Sequence, residues 1–397
     1  MPRGYRVVLA LTMSLALGCG FLHLAVPDSP WSFERLHIFL FNLCAGGAVI
    51  LYLAEQLRAP SWRVCAYFLL AIGYALSAFF LLYPLTVALS VPLWWLVERA
   101  RTRRFPRFPV DLFRRSMPVS HKFQQASLLC LSLAIAIASV VIVNDQYLHL
   151  LSYRKLALDV FFLGYSFPLS LVAFAVIFSF IAPEPSSEGA PLLQVVPAQR
   201  LVPARRGSSL WYGRGFDELM FWAVNVGVIV FFVFIVLGWF AAEVAVATSL
   251  FVLVGVLVLA FLRRGPRSEL GKLLGSGLGF LVLTAATGLA YLFPGAVPLS
   301  GRSLLRLHAI VSLYGWNLSG LIVIVRARDL PLRLDCRAFI ALHWLMAAIL
   351  APLGTWRPAL ALVAFPVAVV VFSLALLGRA APRADLGAPG SAEGALP

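Results

Sequence analysis

Long apolar stretches separated by short polar connections make up most of this chain. Stretches near 20 residues with few charges are long enough to cross a hydrocarbon core about 30 Å thick as helices. Twelve of them are predicted spans, at 5–26, 35–54, 62–82, 84–97, 123–143, 156–181, 217–240, 244–262, 272–293, 304–325, 337–353 and 359–378. The pattern predicts an all-α polytopic membrane bundle of about 12 transmembrane helices.

The connections define the predicted organisation. Residues 1–381 form one transmembrane domain, with long cytoplasmic connections at 98–122 and 182–216 and a tail at 382–397. The connection at 182–216 and the tail are rich in Pro, Gly and other small or polar residues, which predicts disorder. The first apolar stretch lacks a clear small-residue cleavage site, so we expect it to be retained as a helix.

Composition and charge placement agree with this class of protein. Apolar residues make up 61% of the chain and charged residues 12%, against about 25% charged in soluble domains. With the N-terminus inside and all twelve spans crossing, 26 Lys and Arg lie on inner segments and 6 on outer ones, which accounts for all 32. This asymmetry follows the positive-inside rule and places both termini in the cytoplasm.

The short fourth span decides the topology after it. Without a crossing at 84–97, the basic cluster from Arg101 to Arg104 would lie outside. We therefore expect a multi-pass protein of a bacterial-type inner (plasma) membrane. The net charge of +15 is explained by topology and by attraction to anionic lipids, so the lipid bilayer is the expected partner and nucleic acid is not.

A repeated tripeptide supplies the candidate chemistry. Arg35-Leu36-His37 and Arg306-Leu307-His308 open the second and tenth spans, which both run inward and so place the two histidines at one depth. Two neutral imidazoles could ligate one haem iron, and Arg35 and Arg306 could pair with the propionates. The alternative is that these residues are interfacial anchors that extend to the lipid headgroups.

Two short stretches carry a family resemblance. The second span reads His37-Ile-Phe-Leu-Phe-Asn-Leu-Cys-Ala-Gly46-Gly47, and the tenth reads His308-Ala-Ile310-Val-Ser-Leu-Tyr-Gly315-Trp316. They resemble the second helix and the His-x-His…Gly-Trp tenth helix of cbb-type haem–copper oxidases. The resemblance implies a twelve-helix subunit with haem b between those helices near the outer face, and redox or respiratory membrane subunits as partners.

The chain also departs from that family. The sixth and seventh spans contain no histidine, whereas the family takes copper ligands from both, so we expect no copper centre and assign no catalytic residue. Aligned on Gly315-Trp316, His308 takes the place of the high-spin haem ligand, and Ile310 that of the low-spin ligand. Residues two apart on a helix point about 200° apart, so either His308 faces His37 in a shifted register or the haem site is degenerate.

Other polar residues in the spans have structural interpretations. We expect helix packing at a row of glycines and interhelical hydrogen bonds from buried amides, and a hydrogen bond from His343 to a neighbouring helix. The glycines are Gly271, Gly275 and Gly279, and the amides are Asn42, Asn225 and Asn317. The five cysteines lack metal-type spacing. Acidic residues gather at span ends, so the sequence marks no proton channel.

Three functions remain open on sequence alone. The first is a haem b membrane protein that transfers electrons or handles a diatomic gas. The second is a transporter or channel, which requires a polar path and broken helices, for which Pro168 and Pro366 are the only mid-span signals. The third is a non-catalytic subunit or assembly factor of a membrane complex.

Overall fold

The computed structural model describes most of the chain. The described residues are 1–26, 31–55, 59–150, 165–181, 213–267, 269–293, 295, 297–326 and 336–378. Most of the connection at 182–216 and all of the tail at 382–397 lie outside these ranges, so their predicted disorder stays a prediction.

Within these ranges every regular element is a helix, and each predicted span contains one long helix. The long helices are α1 Arg3–Ala25, α2 Phe33–Glu55, α3 Trp62–Phe79, α4 Tyr83–Arg104, α5 Val119–Leu148, α6 Tyr165–Ile181, α7 Arg214–Leu237, α8 Phe240–Arg264, α9 Glu269–Tyr291, α10 Gly301–Arg326, α11 Cys336–Gly354 and α12 Pro358–Leu377. A single further turn lies at Val110–Phe113.

Ten of these helices are long and apolar enough to cross a membrane, judged by length and composition. The two others are α4, whose last turns carry arginines, and α6, which has 17 described residues. The chain is thus an all-helical, multi-pass membrane protein. The predicted connection at 98–122 is shorter than expected, because α4 continues to Arg104 and the Arg101 guanidinium bonds to Glu98 one turn earlier.

Three helices form the centre of the bundle. In α2, 94% of the most apolar stretch is buried inside the protein, and in α10 the figure is 72%. Most of α6 is also buried, and it packs against both α2 and α10. By contrast, only 22% of the corresponding stretches of α7 and α8 are buried. These two helices therefore lie at the edge, where lipid can cover their apolar side chains.

Charged residues meet where several helices end together. Lys122 Nζ lies 2.7 Å from Glu218 Oε1, and Arg264 Nη1 lies 3.1 Å from Asp217 Oδ1, which joins α5, α7 and α8. Arg326 donates to two backbone carbonyls at the C-terminal end of α12, those of Leu376 in its last turn and of Gly378 just after it. Like any helix C-terminus, that turn leaves carbonyls without partners, so the cation stabilises it. We call this side of the bundle its inner end.

Helices α2 and α10 share a local distortion. A π-helical segment runs through Phe39–Gly46 in α2 and through Val311–Asn317 in α10. At the end of the α2 segment, the Gly47 amide donates to the Asn42 and Cys44 carbonyls and makes no hydrogen bond to the Leu43 carbonyl between them. In α10 the Leu318 amide likewise bonds to the carbonyls of residues 313 and 315, and not to that of Tyr314. Each segment thus releases one carbonyl from its usual partner.

A side chain from the next helix bonds to each released carbonyl. The Tyr67 hydroxyl on α3 donates to Leu43 O over 3.1 Å, and His343 Nε2 on α11 donates to Tyr314 O over 2.7 Å. Both accepting residues lie six positions after a histidine of the repeated tripeptide. A Cβ at Gly47 would collide with the Tyr67 hydroxyl, so glycine is what permits that approach.

The correspondence extends into the following hairpins. Both α3 and α11 are joined by short connections to a helix that begins near a proline, Pro84 in α4 and Pro358 in α12. Each of these helices carries a second proline eight residues later, at Pro92 and Pro366. Helices α1–α4 and α9–α12 therefore share a plan, which we call the paired four-helix units.

The hydrogen bond from Tyr67 to the Leu43 carbonyl should contribute to the stability of the fold. Replacing Tyr67 with Phe leaves this buried acceptor without its donor, which should destabilise the fold by about 1–3 kcal/mol. We expect a lower midpoint of thermal unfolding in detergent. The matched control is Tyr147→Phe, at a tyrosine that is 54% exposed, where the midpoint should stay unchanged. Equal midpoints for both variants would contradict the assignment.

Candidate functional site

His37 lies in the core with one ring nitrogen fixed and the other free. Its side chain is buried against α1, and Nδ1 lies 2.6 Å from the Ala16 carbonyl oxygen. Because a carbonyl only accepts, Nδ1 carries the hydrogen, and the neutral ring presents the lone pair of Nε2. Among the described residues Nε2 has no hydrogen-bond partner. A backbone carbonyl that fixes the second nitrogen is typical of metal-ligating histidines.

His308 has the same arrangement on another pair of helices. Its Nδ1 lies 3.0 Å from the Thr284 carbonyl and 3.4 Å from the Thr287 hydroxyl, both on α9. A Cβ at Gly288 would lie 3.1 Å from this Nδ1. His37 likewise packs against a glycine, Gly20, four residues after the carbonyl that holds it. Each histidine therefore donates to the helix before its own and rests on a glycine there.

The structure does not place His308 against His37. The ring that His37 meets across the centre of the bundle is that of Tyr314 on α10, at a centroid distance of 5.4 Å. His308 is directed towards α9, and no hydrogen bond or ring contact joins the two histidines in the described part of the chain. The two candidate ligands are thus found at equivalent positions of the paired four-helix units, in separate surroundings.

The two arginines lie close to their histidines in sequence but not in the core. Arg35 is partly exposed in the first turn of α2, and Arg306 is exposed on α10. Both occupy the end of the bundle opposite the inner end. Across the described ranges, no three His, Cys, Asp or Glu side chains come together as a metal-binding group.

His343 behaves as predicted for a buried structural histidine. It is 3% exposed and donates from Nε2 to the Tyr314 carbonyl on the neighbouring helix α10. Its ring also packs on Phe280 of α9, at a centroid distance of 4.9 Å. Through Tyr314 it therefore supports the ring that contacts His37.

A polar cluster lies deeper between the three central helices. Asn42 of α2 donates to the Ser166 hydroxyl of α6 over 3.1 Å. One turn later on α6, the Ser170 hydroxyl donates to Asn317 Oδ1 over 3.0 Å and accepts from the Trp316 indole over 2.9 Å. We call these five residues the central amide cluster. The interhelical bonds expected for Asn42 and Asn317 are confirmed.

Two other structural expectations have mixed outcomes. Asn225 does not bond between helices, because its amide donates to the Phe221 carbonyl of its own helix. On α9 a Cβ at Gly279 would lie 2.9 Å from the Trp344 ring of α11. The close packing expected of this glycine is therefore confirmed.

Several of the residues at the site carry no direct signal in the sequence. Tyr314, Ser166 and Ser170 are ordinary residues of apolar spans, and their roles follow from contacts between helices. One signal was present: Tyr314 stands as far after His308 as Leu43 stands after His37. Aligning the two tripeptides would have singled out this pair of positions.

Comparison with models of protein families, with curated proteins and with solved structures finds no match to this chain.

The link between His343 and Tyr314 can be tested by substitution. His343→Leu leaves the Tyr314 carbonyl without its donor, so we expect destabilisation of about 1–3 kcal/mol. His343→Gln keeps a donor and should recover part of the loss. Thermal unfolding in detergent measures both. If the Gln and Leu variants unfold at one temperature, the hydrogen bond is not the source of the stability.

Proposed function

We propose that this chain is an integral membrane protein that binds a b-type haem through His37, for electron transfer or for handling a diatomic gas, without a copper-based oxygen-reducing centre. The observation that carries the proposal is the buried Nε2 of His37, which has no hydrogen-bond partner among the described residues. The membership in the haem–copper oxidase superfamily suggested by the two histidine stretches is part of this proposal.

The protein contributes orientation and surroundings to such a site. The Ala16 carbonyl fixes the tautomer of His37 and directs Nε2 away from α1. With its hydrogen on Nδ1, the neutral imidazole offers the lone pair of Nε2, which is the form that binds metal. A haem iron held there would supply one-electron chemistry or bind a diatomic molecule. Arg35, two residues earlier, offers a guanidinium at the end where anionic propionates need one.

The geometry supports one protein ligand and not two. His308 donates to Thr284 on α9 and does not contact His37, so a single iron held by both would require rearrangement of α9 and α10. We therefore propose that His37 alone would hold the haem and keep His308 and Arg306 as secondary candidates. A haem held by one histidine would be able to bind a diatomic gas, which favours gas handling over simple electron transfer.

The proposed setting is a bacterial-type inner membrane crossed twelve times, with both termini in the cytoplasm. The meeting of Lys122 with Glu218 and of Arg264 with Asp217 agrees with the alternation of α5 to α8 in this topology, because the predicted parity puts all four residues on one side. Redox or respiratory membrane subunits are the proposed protein partners.

A transporter or channel is the second candidate, and the central amide cluster favours it. A polar path needs hydrogen-bonding groups in the interior, and Asn42, Asn317, Ser166 and Ser170 supply them around α6. That helix contains Pro168, whose carbonyl accepts from Ser127 of α5 over 2.7 Å. Interrupted helices with polar surroundings are typical of transport sites.

Absorption spectra separate the two candidates. Protein purified from haem-replete cells should show a Soret band and, when reduced, a b-type α-band. His37→Ala should abolish both bands, because it removes the nitrogen that would hold the haem, while His308→Ala should retain most of the absorbance. His121→Ala, at a histidine near the inner end of α5, is the matched control and should keep the full spectrum. A colourless native protein would reject the haem proposal and promote the transporter.

The twelve-crossing topology has its own test at α4. In a background with the five native cysteines replaced by Ala, Leu82→Cys and Ser116→Cys flank α4 at exposed positions. An impermeant maleimide should label residue 82 in intact cells and residue 116 only after permeabilisation. Labelling of both sites in intact cells would mean that α4 does not cross.

A further inference from the structure

The two amides of the central amide cluster are each only half used. Asn42 donates from Nδ2 to Ser166, and its Oδ1 has no partner among the described residues. Asn317 accepts from Ser170 at Oδ1, and its Nδ2 has no such partner. Both side chains are 1% exposed. The described protein atoms around them thus leave one acceptor and one donor unmatched.

The orientation of the two amides does not change this count. Ser170 accepts from the Trp316 indole and donates to Asn317 Oδ1, and its hydroxyl also lies 3.4 Å from the Ser166 carbonyl. For Asn317, as for Asn42, exchanging oxygen and nitrogen would only change which atom is unmatched, since the serine partner is the same in both cases.

Both amides contact one face of α6. Ser166 and Ser170 are four residues apart, so they are neighbours on that face, with Cβ atoms about 5–6 Å apart. Asn42 and Asn317, which bond to these serines, therefore meet α6 one turn apart. Ser166 adds a hydroxyl hydrogen that no described acceptor takes.

The chemistry of the cluster defines the occupant. Its members offer amides, hydroxyls and an indole, and none of them carries a charge, so an ion would lack the compensation that burial demands. A neutral molecule that both donates and accepts satisfies the unmatched atoms. Buried waters commonly make about 3 hydrogen bonds to groups of this kind.

We propose that water is bound at the unmatched atoms of Asn42 and Asn317, against Ser166 and Ser170 of α6, and that it completes the polar contact of the three central helices. Asn42 lies five residues after His37, in the π-helical segment of α2. The water site does not depend on haem binding. It makes the contact of α2, α6 and α10 a hydrated position inside the bundle.

Radiolytic footprinting tests this directly on the native protein in detergent. X-ray pulses split bound water, and the hydroxyl radicals oxidise side chains in contact with it. Trp316 is 4% exposed and should be oxidised, while the fully buried Phe123 should stay unlabelled after correction for intrinsic reactivity. If Trp316 is as unreactive as Phe123, no water is held there and the proposal is overturned. The same result is expected if a solute other than water fills the position.

A pair of variants identifies the groups that hold the water. The double variant Asn42→Leu and Asn317→Leu replaces both amides with apolar side chains of similar shape and should abolish the Trp316 label. Asn225→Leu is the matched control, because that amide bonds within its own helix, and the label should persist. Undiminished labelling in the double variant would overturn the assignment. Should the double variant fail to fold, the native result and Asn42→Leu alone decide.

Discussion

Inside a hydrocarbon layer, a backbone carbonyl that leaves the helical ladder can find a donor only in the protein. The π-helical segments of α2 and α10 create this need at Leu43 and Tyr314, and neighbouring helices meet it with a hydroxyl and an imidazole. A donor on the next helix can reach only if that helix approaches closely. The packing of α3 on α2 and of α11 on α10 is therefore tied to these two carbonyls.

The polar residues that matter lie around the same distortions. His37 stands two residues before the α2 segment, Asn42 lies within it, and Tyr314 and Asn317 lie within that of α10. π-Helical turns often occur at functional sites, because they redirect side chains that a regular helix would point elsewhere. Here they bring polar groups of α2, α6 and α10 together in a bundle whose edge helices present mainly apolar surfaces.

The positions of the helices followed from the sequence, because bilayer thickness fixes the length of an apolar span. The end of α4 did not, since hydropathy falls at the first arginine while the helix continues to Arg104. The repeated tripeptide pointed to two central helices, and the bonding of His343 was predicted correctly. The direction of His308 could not be read, because one inserted residue rotates the rest of a helix by about 100°, and no residue type marks the insertion.

The paired four-helix units meet one requirement with different residue types. In each unit a histidine donates to the preceding helix, one backbone carbonyl leaves the helical ladder, and two prolines stand eight residues apart. The donor to the released carbonyl is a tyrosine in one unit and a histidine in the other. What this position requires is therefore a side chain that donates a hydrogen bond, and both a phenol and an imidazole satisfy it.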